Sequence, residues 1–321
     1  MKADAAHFLP TQYPPSNIMH KNTLRLGTAA LFATLALAGC GKKSADGKKA
    51  EAISIQNIGS DTMVNLAQEW AEAYAKVEPG VSVEVSGGGS GVGVSALING
   101  TCDIANSSRK LEEEEEKKAT AKYGGKHPTE HLVGYDALAI YVHPSNPMTE
   151  ISIEQLSEIY REGGKISKWS DLGATVPSGD EIVRVSRQNN SGTYHYFREA
   201  VVGKKADFKQ GSRDMNGSKE VVDLVGSTPG AIGYSGIGYK TAKVKVLKVA
   251  KKAGEPSVEP SIKTTLDKTY PIARPMFMYS PPGVKPEVET YLKWVVTEPG
   301  QKIVIHAGYV PLPEFAPKDA Q

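Results

Sequence analysis

Four turns put a small hydroxyl residue where a strand gives way to a helix: Ser60 and Thr62, Ser90, Ser107 and Ser108, and Ser191 and Thr193. At a helix start the backbone N–H groups lack intrahelical partners, and the helix dipole presents its positive end. Neighbouring glycines let the backbone approach a ligand closely, and each Ser or Thr adds a hydroxyl donor. Together these groups can receive a small oxyanion. Arg187 adds charge four residues before Ser191-Gly192-Thr193, and a guanidinium there can make two parallel bonds to an anion's oxygens. Any one turn also reads as simple N-capping, a role Ser and Thr fill in most proteins. Repetition at the carboxyl ends of successive strands, where open α/β sheets hold ligands, favours a site.

Other chemistries find little support. Gly88-Gly89-Ser90-Gly91-Val92 is not the G-x-S-x-G elbow of a serine hydrolase. There is no H-E-x-x-H and no GK[ST] phosphate loop. Gly91-x-Gly93-x-x-Ala96 matches the dinucleotide fingerprint only weakly, and Gly93 and Ala96 read as helix-packing residues. His195 stands near Ser191 but has no obvious orienting acid, and His127, His131, His143 and His306 show no metal spacing. The expectation is a binder, not an enzyme, with no metal and no cofactor. With 38 basic and 36 acidic residues the formal charge is +2, which argues against a dedicated nucleic-acid binder. Aromatic residues at 7% offer no evident base-stacking surface.

The elements that must hold these turns alternate. Ile53 to Ile58 reads as a strand, and an amphipathic helix follows until Pro79-Gly80. Val81 to Val85 is a second strand, followed by the loop Gly87 to Gly91 and a short helix ending near Asn99-Gly100. Asp103 to Ala105 reads as a short strand and Arg109 to Lys122 as a charged helix. This βαβαβα order predicts an α/β domain with a mainly parallel sheet. Leu132 to His143 is a long apolar strand leaving this first lobe. A second α/β unit follows, with strands at Glu181 to Ser186 and Pro229 to Tyr234 and helices at Ser152 to Tyr160, Thr193 to Val202 and Ser218 to Val225. Lys240 to Lys252 alternates Val and Lys like a two-faced strand near an edge. Tyr270 to Tyr279 is a second long apolar strand, and the tail offers helices at Pro286 to Val296 and Gly300 to His306. The run Glu112 to Glu116 reads as a solvated helix face.

The N-terminus reads as an address. Leu26 to Ala38 is an apolar run of 13 residues, short of the ~20 a bilayer span needs. His20, Lys21 and Arg25 precede it, as in a secretory signal. Leu37-Ala38-Gly39-Cys40 resembles the bacterial lipobox, which implies cleavage before Cys40 and lipidation of its thiol. Residues 1–39 are thus assigned to the signal. Pro10, Pro14 and Pro15 sit badly before it, and a start at Met19 would leave a signal of ordinary length. Residues 40–51, rich in Lys, Gly and Ser, read as a flexible tether. The expected chain is lipid-anchored outside the cytoplasmic membrane, in the periplasm or at the cell surface, and otherwise soluble. It would have 35 basic and 35 acidic residues. Cys102 would then be a buried free thiol.

The chain resembles the phosphate-binding proteins of bacterial phosphate ABC transporters. The resemblance covers nearly all of the mature part. It rests on Gly59-Ser60-Asp61-Thr62, Gly87-Gly88-Gly89-Ser90-Gly91 and Asp103-Ile104-Ala105-Asn106-Ser107-Ser108-Arg109. It also rests on Arg187-Gln188-Asn189-Asn190-Ser191-Gly192-Thr193 and Pro229-Gly230-Ala231-Ile232-Gly233-Tyr234. It implies a two-lobe periplasmic-binding-protein-like fold of type II, with two crossing strands as hinge and the anion in the cleft. The crossings fall near Gly134 to His143 and Tyr270 to Tyr279. The first lobe would comprise 52–138 and 275–321, and the second 139–274. Implied partners are inorganic phosphate and the permease subunits, which would recognise the closed, ligated form of a monomer.

By position, Ser60, Asp61 and Thr62 would contact the anion, with Ser90, Ser108 and Arg109 on the same side. Arg187 would pair with its charge, and Ser191, Gly192 and Thr193 would cap it from the second lobe. Arg109 has the alternative of a salt bridge to the Glu run. Well-known members carry an Asp where this chain has Ser108. That carboxylate accepts the proton of hydrogen phosphate and repels fully ionised sulfate. Asp61 could take over that role. The rival readings are a binder of sulfate, molybdate or tungstate, a phosphatase-like enzyme, and a surface lipoprotein using the fold for adhesion or sensing.

Overall fold

The computed structural model describes residues 52–318. The signal, tether and Cys40 assignments lie outside the described residues. Among the described residues no helix is long and apolar enough to cross a membrane.

Strand β1 (Ile53–Gly59) alternates between exposed and buried positions along most of its length. Helix α1 (Val64–Val77) follows a 3₁₀ turn at Asp61–Met63 and buries Leu66, Ala67, Trp70 and Tyr74. That spacing places one apolar stripe against the sheet. β2 (Val81–Ser86) and β3 (Ile104–Ser107) both run parallel to β1. α2 (Ser90–Asn99) links them and stops at Gly100, which adopts φ 72°, a left-handed cap open to glycine. α3 (Glu113–Lys122) begins four residues later than the sequence suggests. Residues 109–112 lead into it without regular structure, and the Glu115 carboxylate caps it by accepting from the Glu112 N–H.

β4 (Thr129–Val142) is fourteen residues long and belongs to two groups of strands. Its first part pairs antiparallel with β10 (Ala273–Ser280), which in turn pairs with β3. Its last part pairs with β8 (Ala231–Gly236) and β9 (Lys245–Ala250). Beyond β8 lie β6 (Val183–Arg187) and β7 (Arg213–Met215), and β9 also pairs with β5 (Glu150–Ser152). The main sheet order is β2-β1-β3-β10-β4-β8-β6-β7. Two lobes therefore share one curled sheet, with β4 and β10 crossing between them. Sequence patterning misses β5 and β7, each only three residues long, too short to show a period.

The second lobe also carries α4 (Ile153–Tyr160), α5 (Gly192–Phe197) running on into a π turn at Arg198–Val202, and α6 (Ser218–Ser227). α7 (Ile262–Leu266) precedes β10, and α8 (Pro286–Val295) and α9 (Glu298–His306) follow it. The first lobe's core joins Leu66, Trp70 and Tyr74 to Met276, Tyr291 and Val304. Trp70 Nε1 donates to Gly300 O at 2.8 Å, and Tyr135 of β4 exchanges two backbone bonds with Val310, at 2.7 and 3.0 Å. The second core gathers Leu138, Ile140, Tyr160, Trp169, Phe197 and Tyr234, with Phe197 and Tyr234 stacked at 3.7 Å between centroids.

Candidate functional site

The carboxyl ends of β1, β2, β3 and β6 meet across the gap between the lobes. From the first lobe, Ser60 Oγ donates to Ser108 Oγ at 3.0 Å, and Ser108 N donates to Ser90 Oγ at 3.1 Å. From the second, Ser191 caps α5, its hydroxyl accepting from Thr193 N at 3.1 Å and Tyr194 N at 3.4 Å. Thr62 Oγ1 and Thr193 Oγ1 lie 2.8 Å apart, a direct bond between lobes. Gly192 faces the serine cluster so closely that a Cβ there would stand 2.3 Å from Ser90 Oγ and 2.7 Å from Ser108 Oγ. Ser60, Thr62, Ser90, Ser108, Ser191 and Thr193 are all buried. Buried hydroxyls need partners, and here they find many of them in one another. An oxyanion entering the cluster exchanges such neutral bonds for charge-assisted ones, which are roughly twice as strong.

The rim is held by backbone. Asn190 O accepts from Gly91 N at 2.9 Å, and Asn190 Nδ2 donates to Gly88 O at 3.0 Å. Gly89 adopts φ +98°, and a Cβ there would lie 2.8 Å from Asn190 O. Glycine satisfies both the conformation and the approach.

Arg187 ends β6, fully buried. Its Nε donates to Met215 O, Nη1 to Ser218 Oγ at 3.0 Å, and Nη2 to Asn216 O and to Asp61 Oδ2 at 2.7 Å. Burial lowers its pKa, and the nearby Arg274 charge lowers it further; Asp61 opposes both. The Asp61 carboxylate is committed, because its Oδ1 accepts from Gly88 N at 2.8 Å. It serves first as the partner of Arg187 across the cleft.

Two residues that the sequence reading overlooked stand behind the hydroxyls. Asp136 on β4 and Arg274 on β10 are direct partners in the strand register. Arg274 donates to Asp136 Oδ2 from Nη2 at 2.8 Å and from Nε at 3.1 Å. Asp136 Oδ1 accepts from Ile237 N at 3.0 Å. Arg274 Nη2 also reaches Thr193 Oγ1 at 2.9 Å and Thr62 Oγ1 at 3.2 Å. The signal was available: Asp136 and Arg274 are isolated opposite charges in the apolar strands expected to cross.

Arg109 turns toward the Glu run. Its fork grips Glu115 at 2.7 Å through both Nη1 and Nη2, the salt-bridge alternative. Burial alone would lower its pKa, but the bonds and charge of Glu115 prevail and raise it. Ser107 closes a local turn, its hydroxyl donating to Arg109 O. The His195 ring lies 2.7 Å from Asn189 O and 3.5 Å from the Glu112 carboxylate. Among the described residues no group of three or more His, Cys, Asp or Glu could hold a metal ion.

A family model described as a PBP superfamily domain matches residues 44–299. A phosphate-binding protein PstS of Pseudomonas aeruginosa is 38% identical over 279 residues, covering 83% of this chain and 86% of that protein. A phosphate-binding protein PstS of Staphylococcus saprophyticus is 32% identical over 296 residues, covering 90% and 89%. Among solved structures, a putative phosphate ABC transporter substrate-binding protein from Clostridium perfringens, with bound phosphate, is 28% identical. It superposes with a TM-score of 0.72, over 81% of this chain and 99% of that one.

Proposed function

The chain belongs to the phosphate-binding proteins of phosphate ABC transporters, within the PBP superfamily, and from that membership we propose that it binds inorganic phosphate in this cleft and delivers it to an ABC permease. The observation that carries the reading is the buried cluster of six hydroxyls from both lobes, closed by the 2.8 Å Thr62–Thr193 contact and flanked by Arg187 and Arg274. The anion is held by Ser60, Thr62 and Ser90 with Ser108 from one lobe and by Ser191, Gly192 and Thr193 from the other. Arg187 supplies charge, and Asp61 draws Arg187 across the cleft. The lobes are residues 52–138 with 275–321, and 139–274; the partition of strands between the two ends of β4 supports this division. The protein binds and releases phosphate unchanged, as a monomer. It is held outside the cytoplasmic membrane by lipid on Cys40, with the permease subunits as its partners.

A second reading, a broader tetrahedral-oxyanion binder, is favoured by one observation. Ser108 occupies the expected carboxylate position, and the carboxylates of Asp61 and Asp136 are both engaged by arginines. Calorimetric titration of ligand-stripped mature protein with phosphate, sulfate and molybdate separates the two. One-to-one phosphate heat without sulfate heat supports the transporter role. Silence with phosphate overturns it, and heat with sulfate or molybdate then names the broader class.

A further inference from the structure

The guanidinium of Arg274 is fixed in its plane by two bonds to one oxygen of Asp136. The Tyr196 ring flanks it, 5.5 Å from its carbon to the ring centroid. Nη2 also meets the hydroxyl oxygens of Thr62, from one lobe, and Thr193, from the other. Arginine only donates hydrogen bonds, whereas a hydroxyl has one hydrogen and two lone pairs. One Nη2 hydrogen goes to Asp136, so the other is shared by the two threonine oxygens, which accept it and can turn their own hydrogens away. With the two oxygens 2.8 Å apart, one hydrogen lies between them and the other is free to point elsewhere. Both can turn to an acceptor that enters the cluster.

The geometry points to Arg274 as a positioning residue that holds Thr62 and Thr193 with hydroxyl hydrogens available to an oxygen of the bound anion. Arg274 Nη1 is buried and has no hydrogen-bond partner among the described residues, which leaves a donor unspent behind the cluster. Placement on β10 also means that the strand crossing between the lobes bears on a hydroxyl of each. This inference rests on the oxyanion reading of the cleft.

A double-mutant cycle tests it. Calorimetry with phosphate is run on the mature protein, Arg274→Gln, Thr193→Val and the double variant. Arg274→Gln should weaken binding on the order of 10- to 100-fold. In the Thr193→Val background the same change should cost only a few-fold, because the route through that hydroxyl is already gone. Equal losses in both backgrounds, or no loss, would overturn the assignment, and equal losses with a lowered ligand-free melting temperature would mean that Arg274 merely supports the fold. Should Arg274→Gln fail to fold, Arg274→Lys keeps a charge against Asp136. Its compact ammonium cannot serve Asp136 and both threonines together. It should show the same coupled loss, and native affinity in that variant would equally overturn the role. If the protein ignores phosphate but binds sulfate or molybdate, the cycle is run with that anion, so the phosphate reading and this one fail separately.

Discussion

Two buried arginines stand beside the cleft, and their carboxylate partners place them under different constraints. Arg274 and Asp136 sit opposite each other on β10 and β4, with side chains only 1% and 0% exposed. Neither needs to move for the pair to exist. Arg187 and Asp61 come from different lobes, and Asp61 retains 16% exposure. That pair can exist only while the lobes are together, and water can reach part of it. The first pair thus belongs to the scaffold and the second to closure. A buried ion pair is poor evidence of stability in itself, but removing one partner strands the other charge. The same chemical motif should therefore respond to mutation in opposite observables.

The largest effect should come from Asp136→Ala. Leaving Arg274 unpaired inside the protein should lower unfolding stability by ~3–5 kcal/mol, measured by urea denaturation of ligand-free protein. If stability holds and only anion binding falls, the contrast between the pairs is wrong. Arg187→Gln should do the reverse, weakening anion affinity on the order of 100-fold while ligand-free stability falls much less than for Asp136→Ala. Gly192→Ala probes closure by volume alone, since the new methyl would meet Ser90 and Ser108. Its affinity should drop roughly 10- to 100-fold, the scale of overpacking, with an unchanged melting temperature without ligand. Asn190→Ala removes one rim bond, to Gly88 O, and should speed anion release by about 2- to 10-fold in stopped flow. An unchanged rate would place the decisive closing contacts deeper, at Arg187 and the threonines.

The smallest effect concerns a pair outside both classes. Arg109 and Glu115 lie within the first lobe, and although burial opposes it, the bonds from Arg109 and the Glu112 N–H hold Glu115 below the usual carboxylate range. A carboxylate depressed in the folded state adds stability that is complete above its unfolded pKa, near 4.3. That stability is lost as pH falls through the lower folded value. Glu115→Gln should therefore flatten part of the acid-unfolding curve and leave anion affinity at neutral pH untouched. A change in that affinity would return Arg109 to the binding site.

What the sequence could reveal was decided by locality. Ser60, Ser90, Ser108 and Ser191 were legible because a hydroxyl beside glycine at a strand end is a short-range pattern, and the βα alternation that carries them is periodic. Asp136 and Arg274 were not found, although each is conspicuous in its strand. Their meaning depends on a register between segments 138 residues apart, which no local period encodes. Arg109 was read two ways, as an anion contact beside Ser108 or as a salt bridge to the Glu run, and its fork lies on a glutamate six residues on. Asp61 stood in the right loop, yet its engagement by Arg187 depends on the lobes meeting.

The tie from Trp70 to Gly300, with the bridge from Tyr135 to Val310, makes the first lobe a product of both ends of the described chain. Strands β5 to β9 of the second lobe all fall between residues 150 and 250. During synthesis the second lobe has nearly all its strands in hand while the first still lacks β10, α8 and α9. Contacts of such separation form late, because the loop must be closed before they reward it. Trp70 of helix α1 thus waits for its carbonyl partner Gly300 until nearly the whole described chain has emerged, so the first lobe is completed last.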